Sequence, residues 1–159
     1  MVPRMNLTLA AARQLGMAVV HAPSDVLDYY GDAPQRLAMQ VVPAALSAAS
    51  LTFDAPPTPP PTDHCECGPA QPCTRKYKAW SRQHPDLVIA EADLIGDCNN
   101  GQELVNLCVA RNIDTLIYMG VASNMCVLHR SMGILNMRRR GLRTLVTADL
   151  VNAISAPLI

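Results

Sequence analysis

Six cysteines and a few acids and histidines carry whatever chemistry this sequence of 159 residues holds. Cys126 has the most informative surroundings. Asp114-Thr-Leu-Ile-Tyr-Met-Gly-Val-Ala-Ser-Asn-Met-Cys126 reads as an apolar strand over Leu116 to Met119 that ends at Gly120. Ser123 or Asn124 can then cap a helix, with Cys126 in its first turn. Free N–H groups and the positive end of a helix dipole favour thiolate at such a position. A strand, a sharp turn and a helix opening on a nucleophile form the elbow that hydrolases use. The competing reading is a small buried core cysteine.

Other residues offer less specific chemistry. His64, Cys65, Cys67 and Cys73 are of the types that hold zinc, but Cys-x-Cys with a third cysteine six residues on is not a standard zinc spacing. Zinc, a disulfide and free thiols in a proline-bound loop all stay open there, and no cofactor is expected elsewhere. Cys108 falls on the apolar face of a helix pattern and reads as core. His21, Asp25, Glu91, Asp93 and Asp149 stand at or near predicted strand ends. His129 lies one turn past Cys126 and reads as packing or solvent-facing. Arg138, Arg139 and Arg140, before Gly141, read as cations complementing a helix end.

These residues need elements to position them. Asn6 to Leu15 is rich in helix formers and is followed by a capping Gly16. Met17 to His21 reads as a buried strand, and a loop begins at Ala22 to Asp25. Residues 26–53 are ambiguous, with one or two short helices over Gln35 to Leu46. Asp54 to Pro72 holds seven prolines and reads as an irregular excursion. Leu87 to Ala90 reads as the next strand, Gln102 to Ala110 as a helix, 115–119 as the elbow strand and 124–140 as one helix. Arg143 to Thr147 reads as a further strand with Asp149 at its carboxyl end. Strands alternating with helices predict an α/β fold, a three-layer α/β/α arrangement around a mostly parallel, Rossmann-like sheet. Residues 1–159 form one domain in this reading, with a Pro/Cys-rich excursion at 54–73.

Composition narrows the function classes. Half of the residues are hydrophobic and the formal net charge is zero, so neither nucleic acid nor an acidic membrane surface is an expected partner. Aromatics make up 4%, too few for a base-stacking platform. No apolar run approaches the roughly 20 residues of a membrane span. The first residues lack the pattern of a signal peptide, so a cytoplasmic location is expected.

Gly120-Val-Ala-Ser-Asn-Met-Cys126-Val127, between an Ile-Asp-Thr-Leu-Ile strand and an Arg/Gly-ended helix, resembles the isochorismatase-like cysteine hydrolase superfamily. So do Ala11-Ala-Arg-Gln-Leu-Gly-Met-Ala-Val-Val-His-Ala and Thr147-Ala-Asp149-Leu. The resemblance covers roughly residues 4–155. It implies that Cys126 attacks the carbonyl of a small amide and that the C–N bond is cleaved. It implies a cis Val121–Ala122 peptide, with the N–H groups of Ala122 and Cys126 as oxyanion donors. The expected substrate contacts are Asp25 and Asn124. Glu91, or Asp93 with a shift, aligns with the family's lysine, which makes Glu91 the candidate acid/base. The family's first strand, with its general-base Asp, falls before Met1, and its last strand falls after Ile159. Without that first strand the edges of strands 17–21 and 115–119 stand open. Open edges predict a homo-oligomer, and they support an alternative in which the chain is a catalytically impaired remnant acting as a binding or assembly module.

Overall fold

A computed structural model describes residues 1–46 and 80–153. In chain order these form helix α1 (Val2–Gln14), strand β1 (Val20–His21), a 3-10 turn (Leu27–Tyr30) and helix α2 (Pro34–Gln40). Strand β2 (Leu94–Ile95), helix α3 (Gly101–Ala110) and strand β3 (Thr115–Val121) follow. A π-helical turn (Ser123–Val127), helix α4 (Ile134–Arg139) and strand β4 (Arg143–Asn152) complete the order. The Pro/Cys-rich excursion and the His64, Cys65, Cys67 and Cys73 group lie outside the described residues.

Three helices end alike, and each delivers the chain into a strand. After α1, the Gly16 N–H reaches the Arg13 carbonyl and the Met17 N–H reaches Ala12. After α3, Asn112 reaches Val109 and Ile113 reaches Cys108. After α4, Gly141 reaches Arg138 and Leu142 reaches Met137. These are Schellman closures, which need a left-handed residue at the turn. Gly16, Asn112 and Gly141 supply it, with φ of 71, 52 and 86°. Ile113 and Leu142, the residues just beyond, pack against the core. The cap thus also fixes where the next strand starts.

Every strand pairing is parallel, as an α/β chain with helical crossovers requires. Val20 faces Leu94 and His21 faces Ile95. β3 pairs with β4 from Thr115 opposite Arg143 to Val121 opposite Asn152. Among the described residues these are two separate two-stranded sheets. They share one core of Met39, Leu94, Leu104, Val105, Leu107, Cys108, Met132 and Met137, on which Val20, Leu116 and Tyr118 also pack. Leu107 and Met137 are almost wholly buried, worth roughly 1.5–3 kcal/mol each. α1 bridges the two sheets, with Arg13 bonded to Asp93 before β2 and Arg4 to Asp149 on β4.

Three expected elements need correction. The strand expected at 87–90 lies instead at Leu94–Ile95. Side chains hold 87–93 in turns: the Ala90 N–H donates to Asp93 and Arg13 donates to the Val88 carbonyl. The helix expected over 124–140 is broken at 131–133. Met132 drops into the core and its carbonyl accepts the Tyr118 hydroxyl at 2.8 Å. Gly133 permits the bend, since a Cβ there would sit 2.8 Å from the Arg130 carbonyl oxygen. The last strand does not stop at Thr147. Its register against β3 shifts after Tyr118, and pairing resumes at Val151. Asp149 therefore lies in the irregular part of β4.

Candidate active site

The turn that carries Cys126 begins where β3 ends. Gly120 has φ of 137° and the Val121–Ala122 peptide is cis, the bond that the sequence resemblance singles out. The Ala122 carbonyl then accepts the N–H groups of Met125 and Val127 at 3.2 and 3.1 Å. This winds the chain into one wide turn with Cys126 half-buried on it. Five residues make too short a helix to build a substantial dipole.

Arg130 lies four residues after Cys126, and its backbone N–H donates to the Cys126 carbonyl at 3.1 Å. Its guanidinium forks the Asp25 carboxylate, Nη2 to Oδ2 at 2.5 Å and Nη1 to Oδ1 at 3.1 Å, and donates to Asn99 Oδ1 at 2.6 Å. Asn99 Nδ2 donates to Asp25 Oδ1 at 3.1 Å, which closes the ring of bonds. Asp25 follows β1, Asn99 follows β2, and Cys126 and Arg130 follow β3. The cluster therefore collects at the carboxyl ends of three strands, where open α/β sheets place their sites. The Arg130 and Asn99 hydrogen bonds hold the Asp25 carboxyl below its ordinary value. The bonds to Asp25 raise that of Arg130. Cys98, buried alongside, has its thiol pushed up by burial, although the Asp25 N–H and Arg130 oppose this.

The loop after β2 is braced from below. Asn99 N–H bonds the Asp97 carboxylate at 2.9 Å, and Asp97 N–H bonds Glu103 Oε2 at 3.0 Å. Glu103, in the first turn of α3, is forked by Arg36 of α2 at 2.6 and 2.8 Å. Burial alone would push the Glu103 carboxyl up, but Arg36 and the Asp97 N–H outweigh it and the carboxyl sits below its ordinary value. Two glycines let the segment carrying Arg130 come close. A Cβ on Gly101 would lie 2.3 Å from the Ser131 carbonyl oxygen, and one on Gly96 would lie 2.6 Å from the end of Met132. The small residues at 96 and 101 thus set the height of Arg130 over Asn99.

The other expected residues fall elsewhere. Glu91 is exposed in the turn on the amino side of β2, whereas the cluster forms on the carboxyl side. No hydrogen bond or ion pair joins it to Cys126 among the described residues. Asp93 and His21, expected on the rim, face the interior. Asp93 is forked by Arg13 at 2.6 and 2.9 Å, accepts the Ala90 N–H at 2.8 Å, and lies 2.9 Å from His21 Nε2. Asp149 pairs with Arg4 on α1. Asn124 sits on the same turn as Cys126. His129 is exposed, and its carbonyl accepts Asn136. Ala122 and Cys126 belong to one turn.

The sequence did not mark Arg130, and it offered Asn99 only as a possible helix cap, not as a site residue. The spacing of Cys126 to Arg130 was available, because residues four apart share a helix face. Asn99 offers no such signal, since only the tertiary approach of two loops brings it to Arg130. Among the described residues no three His, Cys, Asp or Glu side chains gather as a metal site. No helix among them is long and apolar enough to cross a membrane. Comparisons of the chain with protein-family models, with curated proteins and with solved structures yield no match.

Proposed function

We propose that this chain is a cysteine hydrolase of the isochorismatase-like kind, built on a three-layer Rossmann-like fold and cleaving the C–N bond of a small amide. The observation that carries the reading is Cys126, a free, half-buried thiol on a tight turn at the carboxyl end of β3. In this chemistry the Cys126 sulfur attacks the amide carbonyl carbon and forms a tetrahedral oxyanion. The N–H groups of Ala122 and Cys126 are the candidate donors to it. The C–N bond then breaks, the thiol proton leaves with the nitrogen, and a thioester remains on Cys126. Water hydrolyses the thioester, releasing the acid and restoring the thiol. Asp25 and Asn124 flank the turn as substrate contacts. Glu91, on the far side of β2, enters only if that turn closes over the site.

Ammonia release from a panel of small primary amides tests this. Turnover of at least one amide is expected, and Cys126→Ala should lower it by about a thousandfold or more, the scale of losing a nucleophile. Undiminished turnover by Cys126→Ala would sink the reading. So would the lack of any Cys126 adduct with an electrophilic amide analogue.

A second reading has its own observation. β3 reads as a strand buried on both faces, yet none of its residues is fully buried and Ile117 and Val121 are half exposed or more. β1 and β3 each have one strand partner among the described residues. Such open edges suit pairing with another chain, in an oligomer of the enzyme or in an assembly module without turnover. A single monomeric mass by light scattering across micromolar concentrations would count against it.

A further inference from the structure

We propose that the end of the molecule opposite Cys126 holds a second site, for a small organic anion with an apolar body. Between Glu103 and Asp149 the chain carries six arginines and a single acid, Asp114, although its formal net charge is zero. Arg130 is held by Asp25 at the carboxyl end of the strands. The other five arginines collect at the amino end. Arg111 follows α3, Arg138 and Arg139 lie in the last turn of α4, Arg140 follows it, and Arg143 opens β4. A helix end accounts for part of this charge, but α4 has six residues and Arg143 lies outside it. The seven residues of β3 put this end roughly 20 Å from the turn that carries Cys126. The site is therefore separate from the first and does not depend on the proposed hydrolase.

Shape and charge together define the ligand. A cleft of about 460 Å³ opens here, and its lining is mainly apolar: Val105, Cys108 and Val109 of α3, with Ile113 and Leu142. Arg140 and Asp114 are its charged members. Leu142 also lines an adjoining hollow of about 400 Å³, whose walls include Arg138, Arg143 and Thr144. Volumes of this order suit a small molecule. Val109 is 58% exposed in the cleft, apolar surface that a ligand's body would cover. Arg140 is held in place, since its Nη1 donates to Gln102 Oε1 at 2.9 Å and Gln102 Nε2 bonds Asn106 and the Ala45 carbonyl. Guanidinium groups present paired N–H donors, which match the oxygens of a carboxylate, sulfonate or phosphate. Asp114 is the one acid that opposes such a head group.

Two fluorescent probes separate body from charge. Anilinonaphthalene sulfonate is an apolar anion, and phenylnaphthylamine has the same rings without the charge. At about 0.01 M ionic strength, where the screening length is ~30 Å, the sulfonate should bind the folded protein more tightly than the neutral probe. Arg138→Gln and Arg143→Gln should each lower the sulfonate's affinity about fivefold, the effect of a unit charge near 4 Å in water-like surroundings, and leave that of the neutral probe within about twofold. Val109→Glu should weaken the sulfonate by a similar factor, and Asp114→Asn should strengthen it. All four side chains are exposed, so these changes leave the fold intact. About 1 M salt should erase the differences. Sodium octanoate should displace the sulfonate, whereas sodium acetate at the same concentration should not. Equal affinity for the two probes at low salt would overturn the proposal. So would sulfonate binding that neither Arg143→Gln nor Val109→Glu changes, which would seat the probe elsewhere on the surface.

Discussion

Two arginine–carboxylate forks in this molecule have similar bond lengths and opposite surroundings, one gripped through Nε and Nη2 and the other through both Nη atoms. Arg13 grips Asp93 at 2.9 and 2.6 Å, and Arg130 grips Asp25 at 3.1 and 2.5 Å. The Asp93 side chain is 1% exposed, while that of Asp25 is 60% exposed. Asp93 also serves His21 and the Ala90 N–H, so every partner belongs to the scaffold: α1, β1 and the turn before β2. Asp25 shares its arginine with Asn99, and both lie on loops at the open end of the sheets. Burial would push the Asp93 carboxyl up, and Arg13, the Ala90 N–H and His21 reverse this. Asp25 pays little desolvation and is held down by Arg130. The same pair of residue types therefore acts as a tie inside the sheet and as a brace at its open end. Depth and the third partner, not the pair, decide which.

The sharpest way to break this comparison is to neutralise the inner fork. Asp93→Asn leaves Arg13, whose side chain is 22% exposed, and the buried His21 facing an amide. Breaking a buried ion pair from one side costs about 3 kcal/mol or more. For a chain of this size that lowers the melting temperature by roughly 10 °C, which differential scanning calorimetry reads directly. A fall of less than ~3 °C would mean that the network contributes little. Next in size is Gly101→Ala. Its Cβ would meet the backbone of Ser131, which is not the end of a flexible side chain, so about 1–3 kcal/mol is expected as the 128–133 segment moves outward. That variant should also loosen Arg130 from Asn99.

Acid titration separates the same two regions. Asp93 and Glu103 both have carboxyls depressed in the folded chain. Their stabilisation is full above the unfolded values of 3.8 and 4.5 and is lost as pH falls through the lower folded values. Urea midpoints should therefore be flat above about pH 5 and decline steadily below it. Asp93→Asn should flatten part of that decline. An undiminished decline in Asp93→Asn would place the acid sensitivity elsewhere.

How much of this was legible in the sequence varies by kind of signal. Helices were legible where periodicity and a capping glycine agree, as at Gly16 and Gly141. The Asn112 closure was not marked, because asparagine is only occasionally left-handed. The parallel α/β character followed from alternation. The strand at Leu94–Ile95 was hidden by the more apolar Leu87-Val-Ile-Ala90, whose backbone bonds are taken by the side chains of Asp93 and Arg13. The break after Cys126 was hidden because Met132 keeps the helical spacing while packing inward. The elbow was legible through its local turn chemistry. Its electrostatics were not, since Arg130, Asp25 and Asn99 are 105 and 31 residues apart across the pairs they form. Glu91 was singled out by a strand placed a few residues early, and the later strand leaves it on the other side of β2.

The smallest effect is the most informative for the comparison. Asp25 has φ of 57°, which asparagine tolerates, so Asp25→Asn changes the charge of the outer fork without straining the turn. An exposed ion pair contributes about 0–1 kcal/mol, so the melting temperature should move by less than ~3 °C. Arg130 loses its counter-ion but keeps Asn99 and the amide oxygen as acceptors, so it should stay beside Cys126. A stability loss matching that of Asp93→Asn would show that depth does not distinguish the two forks.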